Sequence, residues 1–186
     1  MPRSNQTKHL LAESLQELMV TTPLEKFSVN DIVDHAGVGR NTFYYHFEDT
    51  YELVNWYFQS GITQFLVERS AYSSWDSLLA ALEAYFLENK VFYCNALAYN
   101  GQNSLQQYMF EYLCSIFAQN ARELNSDIES AEAQKIGQFF AGAMMGVLIP
   151  WVSGGMKSNT LAAVSDLSIP LFNHDIMQKL LRGEMQ

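Results

Sequence analysis

Residues 28–47 read SVNDIVDHAGVGRNTFYYHF, and the meaning of the chain turns on how this stretch folds. Ser28 and Asp31 stand three apart, the spacing of an N-cap and an acidic N3 residue that together open a helix. Val29, Ile32, Val33 and Ala36 then fall on one apolar stripe of a short helix. Gly37-Val38-Gly39 interrupts it, and a second short helix covers about residues 40–47. Two short helices joined by a glycine-containing turn form the unit that lays its second helix in a major groove. At about 100° per residue, Phe43 and Phe47 point together toward a core, beside Val38 and Ile32. Asn41, Thr42, Tyr44 and Tyr45 point outward, flanked by Arg40 and His46. Adjacent outward tyrosines are unusual on a plain surface helix, whereas their hydroxyls bond phosphates and their rings meet base edges or thymine methyls. Arg40 and Asn41 lie near the helix N-terminus, where the dipole and free N–H groups also favour a phosphate. A plain helical bundle with Tyr44 and Tyr45 packed on a neighbour uses the same pattern, so spacing alone leaves both readings open.

The flanks are helical as well. Leu10, Leu11, Leu15, Leu18 and Met19 recur at helical spacing over about residues 5–20, and Thr21-Thr22-Pro23 stops that helix. Further helices are expected over about residues 51–69, 75–87, 90–99, 104–120, 128–150 and 160–181, the last interrupted by Pro170. No stretch alternates with period two. The fold class is therefore all-α: an N-terminal three-helix helix-turn-helix domain, residues 1–50, joined to a larger helical ligand-binding and dimerisation domain, residues 51–186.

Composition narrows the function classes. Apolar residues are 48% of the 186 and charged residues 17%, a globular balance. The N-terminus is polar and then amphipathic, unlike an export leader. The apolar run 139–152 is short against the roughly 20 residues of a bilayer span and contains Pro150, so a soluble cytoplasmic protein is expected. Cys94 and Cys114 lack metal or disulfide spacing. His9, His35, His46 and His174 have no nucleophile or carboxylate at a catalytic spacing, and no glycine-rich phosphate loop occurs. No enzyme activity, cofactor or metal is expected. The formal net charge is −9, and the first fifty residues set Arg3, Lys8, Lys26 and Arg40 against seven acids. Any DNA reading must rest on a small local surface rather than a bulk positive field.

The stretch SVNDIVDHAGVGRNTFYYHFEDTYEL resembles the signature of the TetR family, and the resemblance covers residues 7–53 well. It implies a helix-turn-helix regulator that binds palindromic double-stranded DNA as a homodimer. By that resemblance Ser28 bonds a backbone phosphate or caps the second helix, with Val29 beside it. Arg40, Asn41 and Thr42 match base-touching positions, and Tyr44, Tyr45 and His46 match positions that grip phosphate or base. Two positions depart from the pattern: Gly39 stands where the family often has a small hydroxyl residue, and Thr50 where it often has lysine. Glu48 and Asp49 precede Thr50, so a weaker phosphate grip is expected.

Beyond residue 53 the resemblance is one of general plan. Large soft side chains crowd this half, and aromatic and methionine linings suit adaptable apolar pockets. A small-molecule effector pocket is expected among Tyr85, Phe86, Phe92, Tyr93, Tyr108, Tyr112, Phe140 and Met144, although each of these also suits an ordinary core. Gly142, Ala143 and Gly146 put small residues on one side of a helix. They allow either a close helix approach or room for a bulky neighbour in the same subunit. The resemblance favours a dimer face there, completed by Leu161, Val164, Leu167 and Leu171. Two modes of control are expected in competition: a repressor released by a small apolar or amphipathic effector, or a regulator governed by a protein co-regulator. The C-terminal pattern loosely resembles a subgroup of the family that includes an activator of dihydroxyacetone-kinase genes, which suits the second mode.

Overall fold

Leu11, Leu15 and Met19 recur along one side of helix α1 (Arg3–Met19) and are at most 3% exposed, so that side is the seed of the core. The computed structural model describes residues 3–68 and 75–157, and every regular element among them is helical. After α1 the chain passes Pro23 into a single 3-10 turn, Leu24–Lys26, which seats Leu24 in the core. Helices α2 (Val29–Ala36), α3 (Arg40–His46) and α4 (Thr50–Glu68) follow where the apolar periodicity places them. A buried serine ties the first two together: the Ser14 hydroxyl donates to the Ile32 carbonyl at 2.9 Å and lies 3.1 Å from His35 Nδ1. Burying that hydroxyl unpaired would cost about 1–3 kcal/mol, so its two partners fix the α1–α2 register.

The chain divides into two compact units, Met1–Tyr72 with Glu88–Gln107, and Ser73–Leu87 with Tyr108–Gln186. The first unit is thus larger than the segment 1–50 read from the sequence. It takes in α4 and also helix α6 (Lys90–Ala96), whose Phe92, Tyr93 and Ala96 are 3%, 0% and 0% exposed. Phe92 meets Tyr57 of α4 edge-on at 4.6 Å, and Tyr93 meets Phe58 at 6.5 Å. The Tyr57 hydroxyl lies within 3.1 Å of both Gln16 Oε1 and Asn89 Oδ1. Beyond α6, Tyr99 stacks on Tyr51 of α4 with ring centroids 4.5 Å apart. These pairings separate residues by thirty or more positions, which local periodicity cannot register.

The second unit contains α5 (Trp75–Glu88), most of α7 (Leu105–Leu124) and α8 (Ser130–Ser153). Ala118 and Ala121 of α7 pack with Ala133 of α8. A Cβ on Gly137 would strike the Cys114 carbonyl oxygen, so only glycine admits the α7 backbone at that crossing. Helix α8 runs three residues past Pro150, further than the proline suggested. Its length and apolar character alone would suit a membrane span, though Glu132 and Lys135 lie in its first half. The same helix has a buried side of Ala133, Gly137, Ala141, Met145, Leu148, Trp151 and Val152, the packing face of a core helix.

Candidate nucleic-acid interface

The turn between α2 and α3 is built by Gly37, at φ 67° and ψ 30°, the left-handed conformation that closes a helix without a Cβ penalty. Its N–H donates to the Asp34 carbonyl and the Val38 N–H to the Val33 carbonyl, the paired bonds of a Schellman stop. Ser28, at the start of α2, donates both its N–H and its hydroxyl to Asp31 Oδ2, at 2.6 and 2.8 Å. Those two bonds hold the Asp31 carboxyl below its ordinary value, the backbone bond being the larger cause. Gly39 caps α3 with its carbonyl but offers no side chain.

Helix α3 has two unlike sides. Phe43 and Phe47 are 0% and 2% exposed and anchor it, while Tyr44 and Tyr45 are 47% and 81% exposed. Arg40 and Asn41 are exposed as well; Thr42, expected to point outward, is half-buried. Arg40 lies along Tyr44, with its Nη2 donating to the hydroxyl at 3.2 Å and its guanidinium 5.4 Å from the ring centre. His46 is half-buried and meets the Tyr45 ring edge-on at 4.9 Å. Burial first, and the charge of Lys8 second, push its imidazole below the ordinary value.

Val29 and Thr50 are half-buried at the starts of α2 and α4. At the head of α4 the Glu52 N–H donates to Asp49 Oδ1 at 2.8 Å, so an acid of the chain itself already satisfies that amide. The sequence reading counted Lys8 in the charge balance of the first fifty residues but gave it no place in the site. Lys8 Nζ lies 5.2 Å from the Phe47 ring centre and 5.6 Å from that of Trp56. His9 meets the other partner of this cluster, Trp56, edge-on at 5.1 Å.

The residues expected to line an effector pocket fall into both units. Phe92 and Tyr93 are core side chains of the first unit, for the packing reasons given above. Phe86 is 2% exposed and meets Trp151 within the second unit, where Tyr85 is half-buried beside it. Tyr108 and Tyr112 stack along α7 at 6.5 Å, and Phe140 packs on Phe117. Met144 is half-buried on α8. A groove of about 670 Å³ does run between α7 and α8, but different residues line it. Its wall is mixed: Glu111, Gln119, Arg122, Gln134 and Gln138 stand beside Phe110, and none of the eight residues expected to line a pocket is among them.

On α8, Gly142, Ala143 and Gly146 are exposed, and Phe139 on the preceding turn is 70% exposed. Among the described residues nothing comes within 4 Å of a Cβ built on Gly142 or Gly146. The other members of the expected dimer face, Leu161, Val164, Leu167 and Leu171, lie outside the described residues.

An all-helical chain with a tyrosine-bearing helix-turn-helix at its head belongs to a recognisable class of regulators, and comparison with known proteins agrees. Residues 14–60 match the family described as bacterial regulatory proteins, tetR family, and residues 73–172 match a transcriptional regulator C-terminal region. The chain belongs to the TetR family of transcriptional regulators. It is similar to the HTH-type dhaKLM operon transcriptional activator DhaS of Lactococcus lactis subsp. lactis (strain IL1403), 32% identical over 93 residues. That match spans 50% of this chain and 50% of the relative's length. A solved structure titled dihydroxyacetone kinase operon activator DhaS superposes with a TM-score of 0.63 at 21% identity, over 92% of this chain and 96% of that one. At that identity the superposition speaks for the fold.

Proposed function

We propose that the protein is a cytoplasmic, sequence-specific DNA-binding regulator that acts as a homodimer on a palindromic operator, with residues 1–50 as its reading module. The observation that carries this reading is the two-sidedness of α3. Phe43 and Phe47 lock it in place while Arg40, Asn41, Tyr44 and Tyr45 stand exposed along its other side. A helix so anchored offers side chains for base edges and phosphates at no cost in core packing. In this reading Arg40, Asn41 and Thr42 address bases. Ser28, Val29, Tyr44, Tyr45, His46 and Thr50 border the phosphate backbone. The exposed strip of Phe139, Gly142, Ala143 and Gly146 supports a two-fold helix contact on α8. A gel shift on the region upstream of the protein's own gene tests the proposal. Retarded DNA that Tyr44→Ala releases supports it, and no retardation at low salt sinks it.

For control, two observations weigh against a repressor released by a small apolar effector. The relative with the 32% match is named as a transcriptional activator of a dhaKLM operon, which suits an activator mode for this chain too. In addition, Phe92 and Tyr93 serve the core of the first unit, which removes two members of the aromatic cluster that motivated an effector pocket. A thermal-shift screen with apolar and amphipathic metabolites separates the modes. A hit that also changes DNA affinity restores the effector reading, because only differential affinity for two states shifts an equilibrium.

A further inference from the structure

We infer that Lys8 is a phosphate-gripping residue of the DNA interface, held in place by an aromatic shelf that Phe47 and Trp56 build beside the end of the reading helix. The inference rests on the DNA-binding reading above and extends it to helix α1.

The electrostatic problem motivates it. The chain is acidic, Thr50 stands where a lysine would be expected, and Asp49 already accepts an amide hydrogen bond at the head of α4. Arg40 is the cation that α3 itself carries, so a second one near that helix must come from another element. Lys8 is the basic residue that the fold brings there from α1. Its Nζ lies over Phe47, the residue that caps α3, and over Trp56 of α4, at 5.2 and 5.6 Å from the ring centres. Its charge is felt by His46 on the last turn of α3. His46 in turn touches Tyr45, the most exposed aromatic residue of that helix. Lys8, Phe47, His46 and Tyr45 thus run from the shelf to the outermost ring of the reading helix.

What holds Lys8 matters as much as where it lies. Among the described residues no carboxylate pairs with it. Ring faces attract an ammonium without neutralising it, so all three N–H donors and the full charge remain for a phosphate. A carboxylate partner would instead have to be displaced on binding. The side chain is half-buried and already confined by two rings, which lowers the entropy lost when it meets DNA. The competing account is that Lys8 only pins α1 to the Phe47–Trp56 cluster. That account needs the aliphatic stem and leaves the charge dispensable for DNA affinity.

The two accounts part on charge. The full-length protein is titrated with sheared mixed-sequence duplex DNA over a range of salt concentrations, as wild type, Lys8→Met, Lys8→Arg and Arg40→Met. If Lys8 grips a phosphate, Lys8→Met lowers the log–log salt slope by about 0.9 per bound subunit, and Lys8→Arg restores it. An unchanged slope in Lys8→Met, where the wild type binds with a salt-dependent slope, overturns the inference and leaves the interface standing, whatever Arg40→Met does. Wild-type protein with no salt-dependent DNA binding overturns the interface itself, and Lys8 with it. Amine acetylation of the wild type, read by mass spectrometry, covers the case in which Lys8→Met does not fold. DNA should shield Lys8 while the exposed Lys157 stays reactive, and equal labelling of Lys8 with and without DNA overturns the inference.

Discussion

Asn95 of α6 closes the turn around Leu24: the Leu24 N–H donates to Asn95 Oδ1 at 2.7 Å. The same amide donates from Nδ2 to the Met19 and Thr22 carbonyls, at 3.0 and 2.9 Å. Three backbone groups at the end of α1 are thereby satisfied by one side chain seventy residues away. Asn95→Leu should cost about 1–3 kcal/mol, the range for leaving buried donors or acceptors unpaired, toward the lower end because the site is only partly buried. Urea unfolding gives the measurement. An unchanged midpoint would mean that water replaces the amide without loss.

The reading helix gives a second set of outcomes. Tyr44→Ala should weaken binding to all sequences by about 1–3 kcal/mol, the scale of a hydrogen bond to a charged group. Loss of the Tyr44 side chain also frees Arg40, whose Nη2 donates to the Tyr44 hydroxyl at 3.2 Å and whose guanidinium lies 5.4 Å from the ring centre. Arg40→Ala and Asn41→Ala should in addition blur discrimination between bases. Footprinting that keeps full affinity and full sequence preference in all three variants contradicts the placement of α3 in the groove.

Gly39 offers a gain-of-function test. Its φ of −79° and ψ of 151° suit a serine N-cap, and an added Cβ would meet only Thr42 Oγ1, at 3.9 Å. Gly39→Ser should stabilise the fold by a few tenths of a kcal/mol, the usual margin of serine over glycine at an N-cap. It should also tighten DNA binding, since the hydroxyl sits at the head of the reading helix. Calorimetry and gel shifts read the two effects separately, and weaker DNA binding would place Gly39 away from the backbone.

His46 makes the interface sensitive to pH. Its folded value lies below the ordinary 6.5, through burial first and Lys8 second. The neutral ring therefore dominates near neutrality. Its contribution to folding stability is present above the unfolded value and is lost as pH falls through the folded one. A nearby phosphate acts the opposite way and favours the imidazolium. DNA affinity should then rise as pH falls toward the lowered value of the imidazole, with uptake of protons on binding. Replacing His46 by Gln should flatten that rise. A wild-type affinity that stays level down to the onset of acid unfolding would remove His46 from the phosphate contacts.

How far the sequence reaches is clear from particular residues. Ser28, Asp31, Gly37, Phe43 and Phe47 act within one or two helical turns, so their roles could be read from spacing alone, and α2 and α3 stand where that spacing puts them. Asn95, Tyr57 and Lys8 act across long separations, and no local pattern marks an asparagine that will cap a turn seventy residues earlier. The same blindness assigned Phe92 and Tyr93 to a pocket: an aromatic pair looks alike whether it faces a ligand or packs on Tyr57 and Phe58. Gly137 hid for a related reason. Its importance lies in the Cys114 carbonyl opposite it, while Gly142 and Gly146, one turn apart and more conspicuous, meet nothing within the described residues.

Those glycines yield a prediction whose sign decides the quaternary reading. Gly137→Ala drives a Cβ into the Cys114 carbonyl oxygen, a backbone atom that cannot step aside, so overpacking should destabilise the second unit by about 1–3 kcal/mol. Gly142 and Gly146 are exposed on the same helix with open space at their Cα atoms among the described residues. In an isolated chain, alanine there should stabilise α8 by about 0.5–1 kcal/mol per site, because glycine loses more backbone freedom on folding. If the strip with Phe139 is the contact between two subunits, the outcome changes with protein concentration. Gly146→Leu should then weaken the dimer, moving the sedimentation midpoint to higher concentration, while the monomer gains helix stability. Gly142→Ala, the smaller change, should show the same trend in milder form. Sedimentation velocity over the micromolar range, paired with thermal unfolding, resolves the two effects. A dimer that tolerates Gly146→Leu without any shift would move the interface off this side of α8.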